Sequence, residues 1–167
     1  MTGSGSGVRF GVDVGEVRVG LAMSDPDGVL AMPVATLARD PSDAATDLAR
    51  LQAHVAAQRT AYLVVGLPRT LAGHEGAAAR RARAYAALVA ARVDPVPVRL
   101  VDERLTTVGS HRLLHDSGVP GGEHRGVVDQ AAAVLILQSA LDAERATGRQ
   151  PGELVRGGRK PRAKGRR

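Results

Sequence analysis

Residues 8–23 read Val8-Arg9-Phe10-Gly11-Val12-Asp13-Val14-Gly15-Glu16-Val17-Arg18-Val19-Gly20-Leu21-Ala22-Met23. Val8, Phe10, Val12 and Val14 alternate with Arg9, Gly11 and Asp13, a period of two that marks a strand. Gly15-Glu16 makes a turn, and Val17, Val19, Leu21 and Met23 repeat the alternation on the way back. Strands this close in sequence pair as an antiparallel hairpin. Asp25-Pro26-Asp27-Gly28 is a second turn, and a third strand is expected near 29–37. Pro33 has no N–H to give to a ladder, so this strand belongs at a sheet edge.

Downstream the period changes. Asp40-Pro41 predicts a helix start, with Asp40 as cap and proline at the first helical position. Ala44, Leu48, Leu51 and Val55 mark the buried stripe of that helix. Residues 62–66 are wholly apolar, as in a strand covered on both faces. A second helix is expected over 75–92, with Ala78, Ala82, Tyr85 and Val89 inward, and a fifth strand over 97–101. A helix over 107–116, a mobile Gly-rich stretch over 119–126 and a last helix over 128–146 complete the chain, and residues 131–137 are apolar on every side and hence buried. The order is β-β-β-α-β-α-β-α-α. Helical crossovers imply parallel neighbours and a right-handed path. The expected fold is α/β: a mixed five-stranded sheet, three antiparallel hairpin strands plus two parallel strands, with helices on both faces.

Composition sets the limits. A chain of 167 residues suits one domain. Hydrophobic residues make up 44% but aromatics only 2%, so Val, Leu and Ala must build the core. The absence of cysteine excludes disulfides and thiolate metal sites and leaves oxygen or imidazole ligands. No apolar run approaches the roughly 20 residues of a membrane span, and residues 1–7 contain no apolar signal region. The expectation is a cytoplasmic protein with no membrane partner. The net charge of +6 is unevenly placed. Sixteen of the 23 basic groups and sixteen of the 17 acidic groups lie in residues 1–150, so the body is neutral. The excess sits in Arg156, Arg159, Lys160, Arg162, Lys164, Arg166 and Arg167. The expected organisation is a flexible leader over 1–7, a domain over 8–147 and a disordered basic tail over 148–167, which serves either as a solubilising extension or as a phosphate-seeking arm.

Three acids stand where elements begin or end. Asp13 lies near the end of the first strand, between Gly11 and Gly15, which leave room for a ligand or metal to approach. Asp102 and Glu103 stand where the fifth strand ends, and alternation points them apart, so one of them faces a site at that end of the sheet. Asp129 is expected in the first turn of the last helix, where the helix dipole favours a carboxylate. Taken singly, each has a plain structural role: a turn, a solvated strand end, a dipole contact. Together they converge on the first strand. Clustered carboxylates raise one another's pKa, and a divalent cation removes that conflict. Hard oxygen ligands suit Mg²⁺ or Mn²⁺. Such ions activate water and stabilise the leaving oxygen of a phosphodiester.

The stretches 11–15, 18–25 (Arg18-Val19-Gly20-Leu21-Ala22-Met23-Ser24-Asp25), 64–68 (Val64-Val65-Gly66-Leu67-Pro68), 102–107 (Asp102-Glu103-Arg104-Leu105-Thr106-Thr107), 129–132 and 136–138 resemble, in order and spacing, the YqgF/RuvX family of pre-16S rRNA nucleases, which is also called Holliday-junction-resolvase-like. The resemblance covers residues 8–145. It implies an RNase H-like fold, a divalent-metal nuclease site and a role in maturing the 5′ end of small-subunit ribosomal RNA, with four-way DNA junctions as the other substrate associated with the family. The family's acidic positions fall on Asp13, Glu103 and Asp129. The first turn departs from the family pattern: Glu16-Val17 stands where a polar pair such as Thr-Lys is usual, which makes Arg18 the substitute phosphate contact. The loop before the last acid, often lysine-rich, offers only His124 and Arg125. Arg18, Arg69, Arg104, His124 and Arg125 are the candidate nucleic-acid contacts, with the Arg80-Arg81-Arg83 cluster and the tail as further grips. Two other functions fit parts of the pattern: a non-catalytic RNA-binding assembly factor, and an actin-like or sugar-kinase phosphotransferase, for which one domain is too few.

Overall fold

The hairpin forms where the alternation places it. In the computed structural model, which describes residues 6–105 and 122–156 (the side chains of 105 and 122–126 excepted), β1 (Val8–Val14) pairs antiparallel with β2 (Arg18–Ser24), with Val12 opposite Leu21 and Asp13 opposite Gly20. β3 (Ala31–Ala38) adds antiparallel to β2 and is an edge strand, as Pro33 requires, and the ladder shifts register beside that proline. α1 (Thr46–Ala56) leads to β4 (Thr60–Leu67), parallel to β1, and α2 (Ala77–Val93) leads to β5 (Val98–Asp102), parallel to β4. A single turn of 3₁₀ helix, Glu103–Leu105, ends β5. The long α3 (Gly122–Thr147) follows, and β6 (Glu153–Leu154) closes the order β3-β2-β1-β4-β5-β6.

The sheet separates two apolar layers. On one face Phe10, Val12, Val19, Leu21, Leu63, Val65 and Leu100 pack under α1 and α2. On the other, Ala22, Tyr62 and Val64 meet Ala133, Ile136, Leu137 and Ala140 of α3. The α3 face is lined by small residues, so the helix lies close to the strands. A Cβ on Gly11 would stand 2.6 Å from Leu137 Cβ and 2.9 Å from the Ala133 carbonyl oxygen. The space beside Asp13 that the sequence reading gives to a ligand is therefore filled by α3 on the Gly11 side.

Three boundaries differ from expectation. α1 starts at Thr46 rather than after Asp40, because the Asp40 carboxylate reaches across the loop to accept hydrogen bonds from the Thr46 N–H and hydroxyl, both at 2.9 Å, and from Ser42. Those bonds hold its pKa well below the usual carboxylate range. α3 starts at Gly122, inside the stretch read as a loop, so Asp129 lies two turns into the helix and not in its first turn. Residues 148–156, read as tail, stay on the body: β6 adds antiparallel to β5, and Arg99 donates to the Pro151 and Gly152 carbonyls at 2.6 and 2.9 Å. The sheet thus has six strands rather than five. The expected helix over 107–116, with His111 and His115, and the residues 1–5 and 157–167 of the leader and tail lie outside the described residues.

At the amino end of β1 a buried polar cluster fixes α3 to the sheet. Arg9, 4% exposed, donates to the Gly7 carbonyl at 2.9 Å and stands 3.6 Å from Glu144, which also accepts the Tyr62 hydroxyl. Burial, with Glu144 beside it, pushes that hydroxyl's pKa up. Buried charges persist when paired in this way, and here the pairing anchors the carboxyl-terminal half of a helix whose other half carries Asp129.

Candidate catalytic site

Asp13 at the end of β1, Glu103 just after β5 and Asp129 on α3 lie on the α3 side of the sheet, and two glycines account for their arrangement. Asp13 is one residue past Gly11 and Val12 on β1, on the same face as Gly11, and is 4% exposed. Its β2 partner is Gly20. A Cβ on Gly20 would stand 2.0 Å from the carbonyl oxygen of Asp129, so the backbone of α3 rests directly on this strand. On the other flank, the β1–β4 register runs Val12 beside Val65, which brings Gly66 next to Asp13. A Cβ on Gly66 would stand 2.5 Å from Glu103 Oε1 and 2.6 Å from Ile136 Cδ1. The central-strand aspartate therefore has Asp129 over its neighbour on one side and the Glu103 carboxyl over its neighbour on the other.

Glu103 is 3% exposed. Burial first, and the negative charge of Asp102 second, push its pKa up to about 7. Desolvation penalises the charged form of an acid, so a carboxyl with so high a pKa sits where a cation would gain most from meeting it. Asp102 points the other way, as alternation predicts, and its carboxyl is held low, chiefly by Arg104. Arg104 clasps it at 2.6 and 3.0 Å, and Arg69 approaches at 3.6 Å. Arg69 also stands 3.6 Å from Glu75, which in turn binds Arg83 at 2.5 Å. The rim of the site is an alternating chain of charges rather than a bare basic patch. Arg18 Nε donates to Asp129 Oδ2 at 3.0 Å. The sequence reading makes Arg18, Arg69 and Arg104 phosphate contacts; each of the three engages an acid. The side chains of His124 and Arg125 lie outside the described residues.

The donor set, tested against a cation, fits in part. Asp13 and Glu103 are buried and oxygen-donating and lie on the same face to either side of Gly66, which suits a hard divalent ion. Among the described residues, however, no three His, Cys, Asp or Glu side chains stand close enough together to enclose a metal. The third carboxylate, that of Asp129, is turned to Arg18 instead.

Gly20 and Gly66 enter the sequence reading only as members of motifs, with no contact to the acids assigned to them, and Glu75 enters it only as a helix boundary. The signal for the glycines is present, since glycine inside a strand marks close approach of another backbone or group. Gly66→Ala is expected to displace the Glu103 carboxyl and the Ile136 methyl. The cost should be about 1–2 kcal/mol of stability, in the range for overpacking. Any activity should fall at least tenfold, since an ångström of misplacement costs about 10²-fold. Chemical denaturation and turnover measured on one preparation check both.

A mixed sheet in this order, with acids at the carboxyl ends of its central strands and a long helix laid across them, defines an RNase H-like protein. A structure of T. thermophilus RuvC in complex with Holliday junction substrate shares the fold, with a TM-score of 0.52 at 17% identity over 89% of this chain and 99% of that one. A sequence profile described as "RuvX: Holliday junction resolvase" matches residues 7–143. A protein of Nocardioides sp. (strain ATCC BAA-499 / JS614) named "Putative pre-16S rRNA nuclease" is 56% identical over 155 residues, covering 90% of this chain and 97% of that protein. Relatives with the same name in Kineococcus radiotolerans (55% identical, 95% of this chain and 85% of that protein) and Thermobifida fusca (51%, 91% and 98%) match as broadly. The chain belongs to the RuvX family.

Proposed function

We propose that this chain is a divalent-cation-dependent endonuclease that hydrolyses phosphodiester bonds in structured nucleic acid, with the 5′ end of precursor 16S rRNA as its cytoplasmic substrate. The observation that carries the reading is the burial of Asp13 at the end of β1 and of Glu103 after β5, on the same face, with the Glu103 carboxyl laid over Gly66 of the strand between them. Burial penalises the charged form of a carboxyl, as at Glu103, whose pKa is pushed up to about 7, and a cation relieves that penalty. Asp13 and Glu103 would hold that cation, and Asp129 would complete the set. Mg²⁺ or Mn²⁺ held there would supply charge stabilisation to the phosphodiester and lower the pKa of water.

The protein does the rest. Asp13 is fixed by β1 between two paired strands. Glu103 is held by the 3₁₀ turn against Gly66, and α3 excludes water from the inner side of both. Arg69 and Arg104 stand on the rim beside Asp102, where forked guanidinium groups can orient a phosphate. The names of the relatives support the rRNA substrate. The description of the family profile supports a four-way DNA junction as the second candidate.

The test is cleavage of a precursor rRNA fragment and of a synthetic four-way junction, each with Mg²⁺ and with Mn²⁺. Metal-dependent cuts near the mature 5′ end are expected. Asp13→Asn is expected to lose at least about 10²-fold, because even a group that only supports a metal ligand is worth 10–100-fold. Unchanged cleavage by Asp13→Asn contradicts the assignment. Binding of RNA without turnover, retained after loss of all three acids, favours a non-catalytic assembly factor.

A further inference from the structure

The contact between Arg18 and Asp129 joins the first residue of β2 to the third turn of α3, 111 residues apart, and both side chains are about 30% exposed (30% and 27%). Asp129 lies too far into α3 for the helix dipole to hold its charge, since that effect fades beyond the first turn. Arg18 supplies a counter-charge at 3.0 Å. The backbone of Asp129 is pressed onto Gly20, beside Asp13. The backbone that carries this carboxylate thus already lies over the strand position paired with Asp13, so a change of partner from Arg18 to the site calls for a turn of the side chain rather than a shift of the helix. An ion pair this exposed is weak, so a divalent cation held by two buried carboxyls can displace it. The released guanidinium would then stand at the mouth of the site with a full set of donors and no acid to pair with. Phosphate geometry matches that fork.

We propose that Arg18 is a positioning residue that changes partner: it holds the Asp129 carboxylate outside the site while no cation is bound, and it is released to take a substrate phosphate when Asp129 turns to the cation. This rests on reading Asp13, Glu103 and Asp129 as cation ligands. It makes cation and nucleic acid bind with positive coupling, each strengthening the other by the same factor.

The experiment is calorimetric titration of the full chain with Mn²⁺ alone, comparing the parent, Arg18→Gln, Asp129→Asn and the double variant. Arg18→Gln is expected to bind Mn²⁺ more tightly, by roughly two- to fivefold, the range that a weak exposed pair represents. In the Asp129→Asn background the same substitution is expected to change nothing, because the gain passes through that carboxylate. In the parent protein, Mg²⁺ without nucleic acid is expected to shift the Arg18 Nε–H resonance and speed its exchange with water. That readout needs no substitution and stands even if a variant folds poorly. Arg18→Gln is also expected to bind RNA more weakly, with the salt slope reduced by about one. Equal or weaker Mn²⁺ binding by Arg18→Gln, a gain that persists in Asp129→Asn, or an Arg18 resonance indifferent to Mg²⁺ each overturn the exchange while leaving the cation site standing. Failure of the parent to bind Mn²⁺ at all overturns the cation reading and the exchange with it.

Discussion

Glu103→Gln is expected to melt at a higher temperature than the parent protein at pH 8 in the absence of divalent metal, and to be inactive. Burial raises the Glu103 pKa from 4.5 to about 7. A raised acid pKa means that the folded state binds the proton more tightly than the unfolded state. The carboxyl therefore costs nothing below pH 4.5, costs more with each step between 4.5 and 7, and costs its full amount above 7. At 1.36 kcal/mol per pKa unit the full cost is about 3 kcal/mol. Glutamine has nearly the same shape and no charge, so it removes most of that cost at pH 8. Its advantage should shrink below about 1 kcal/mol at pH 5, where the parent's carboxyl is already protonated in the folded state. Millimolar Mn²⁺ should reverse the order at pH 8, because a ligand that binds only the folded parent stabilises it by mass action. Thermal melts at two pH values, with and without Mn²⁺, read all of this. A variant that is never more stable than the parent at pH 8 would show that Glu103 is not held at a desolvated position.

Gly20→Ala is expected to have the largest effect on the fold of any single methyl addition at the site. The added carbon would stand 2.0 Å from the Asp129 carbonyl oxygen and 2.5 Å from its carbonyl carbon. These are backbone atoms of a helix whose far end is anchored through Glu144, so no rotamer change relieves the contact. Either β2 or α3 must move. Overpacking of this kind costs about 3 kcal/mol, which in a chain of this size lowers Tm by roughly 6–12 °C. Asp129 moves with the helix, so cleavage should fall along with stability. A Tm within a degree of the parent's would mean that α3 does not rest on β2 at this point.

The sheet was readable because its strands carry their evidence locally. Alternation from Val8 to Met23 set the hairpin, and Pro33 placed β3 at the edge. The errors fall where a distant partner decides. Asp40 and Pro41 are a plausible helix opening by local rules, yet the Asp40 carboxylate is used six residues later by Thr46. β6 has two residues, too few to show a period, and it is held by Arg99 and by pairing with β5. The start of α3 was hidden because Gly122, His124 and Gly126 are weak helix formers and read as a loop. Within the site, the end-of-strand positions of Asp13 and Glu103 could be read from alternation. The direction of Asp129 could not, since it depends on Arg18, which is far away in sequence. Residue type likewise marks Arg69 and Arg104 as phosphate-seeking without disclosing that Asp102 holds both.

Asp13 and Glu103 must grip one cation for the proposed site to work. Crystals soaked in Mn²⁺ and measured at the manganese absorption edge test this directly. An anomalous peak is expected at bonding distance, about 2.0–2.3 Å, from oxygens of both residues, with the Asp129 carboxylate turned toward it. A well-ordered site with no peak between residues 13 and 103, or manganese bound only elsewhere, would contradict it.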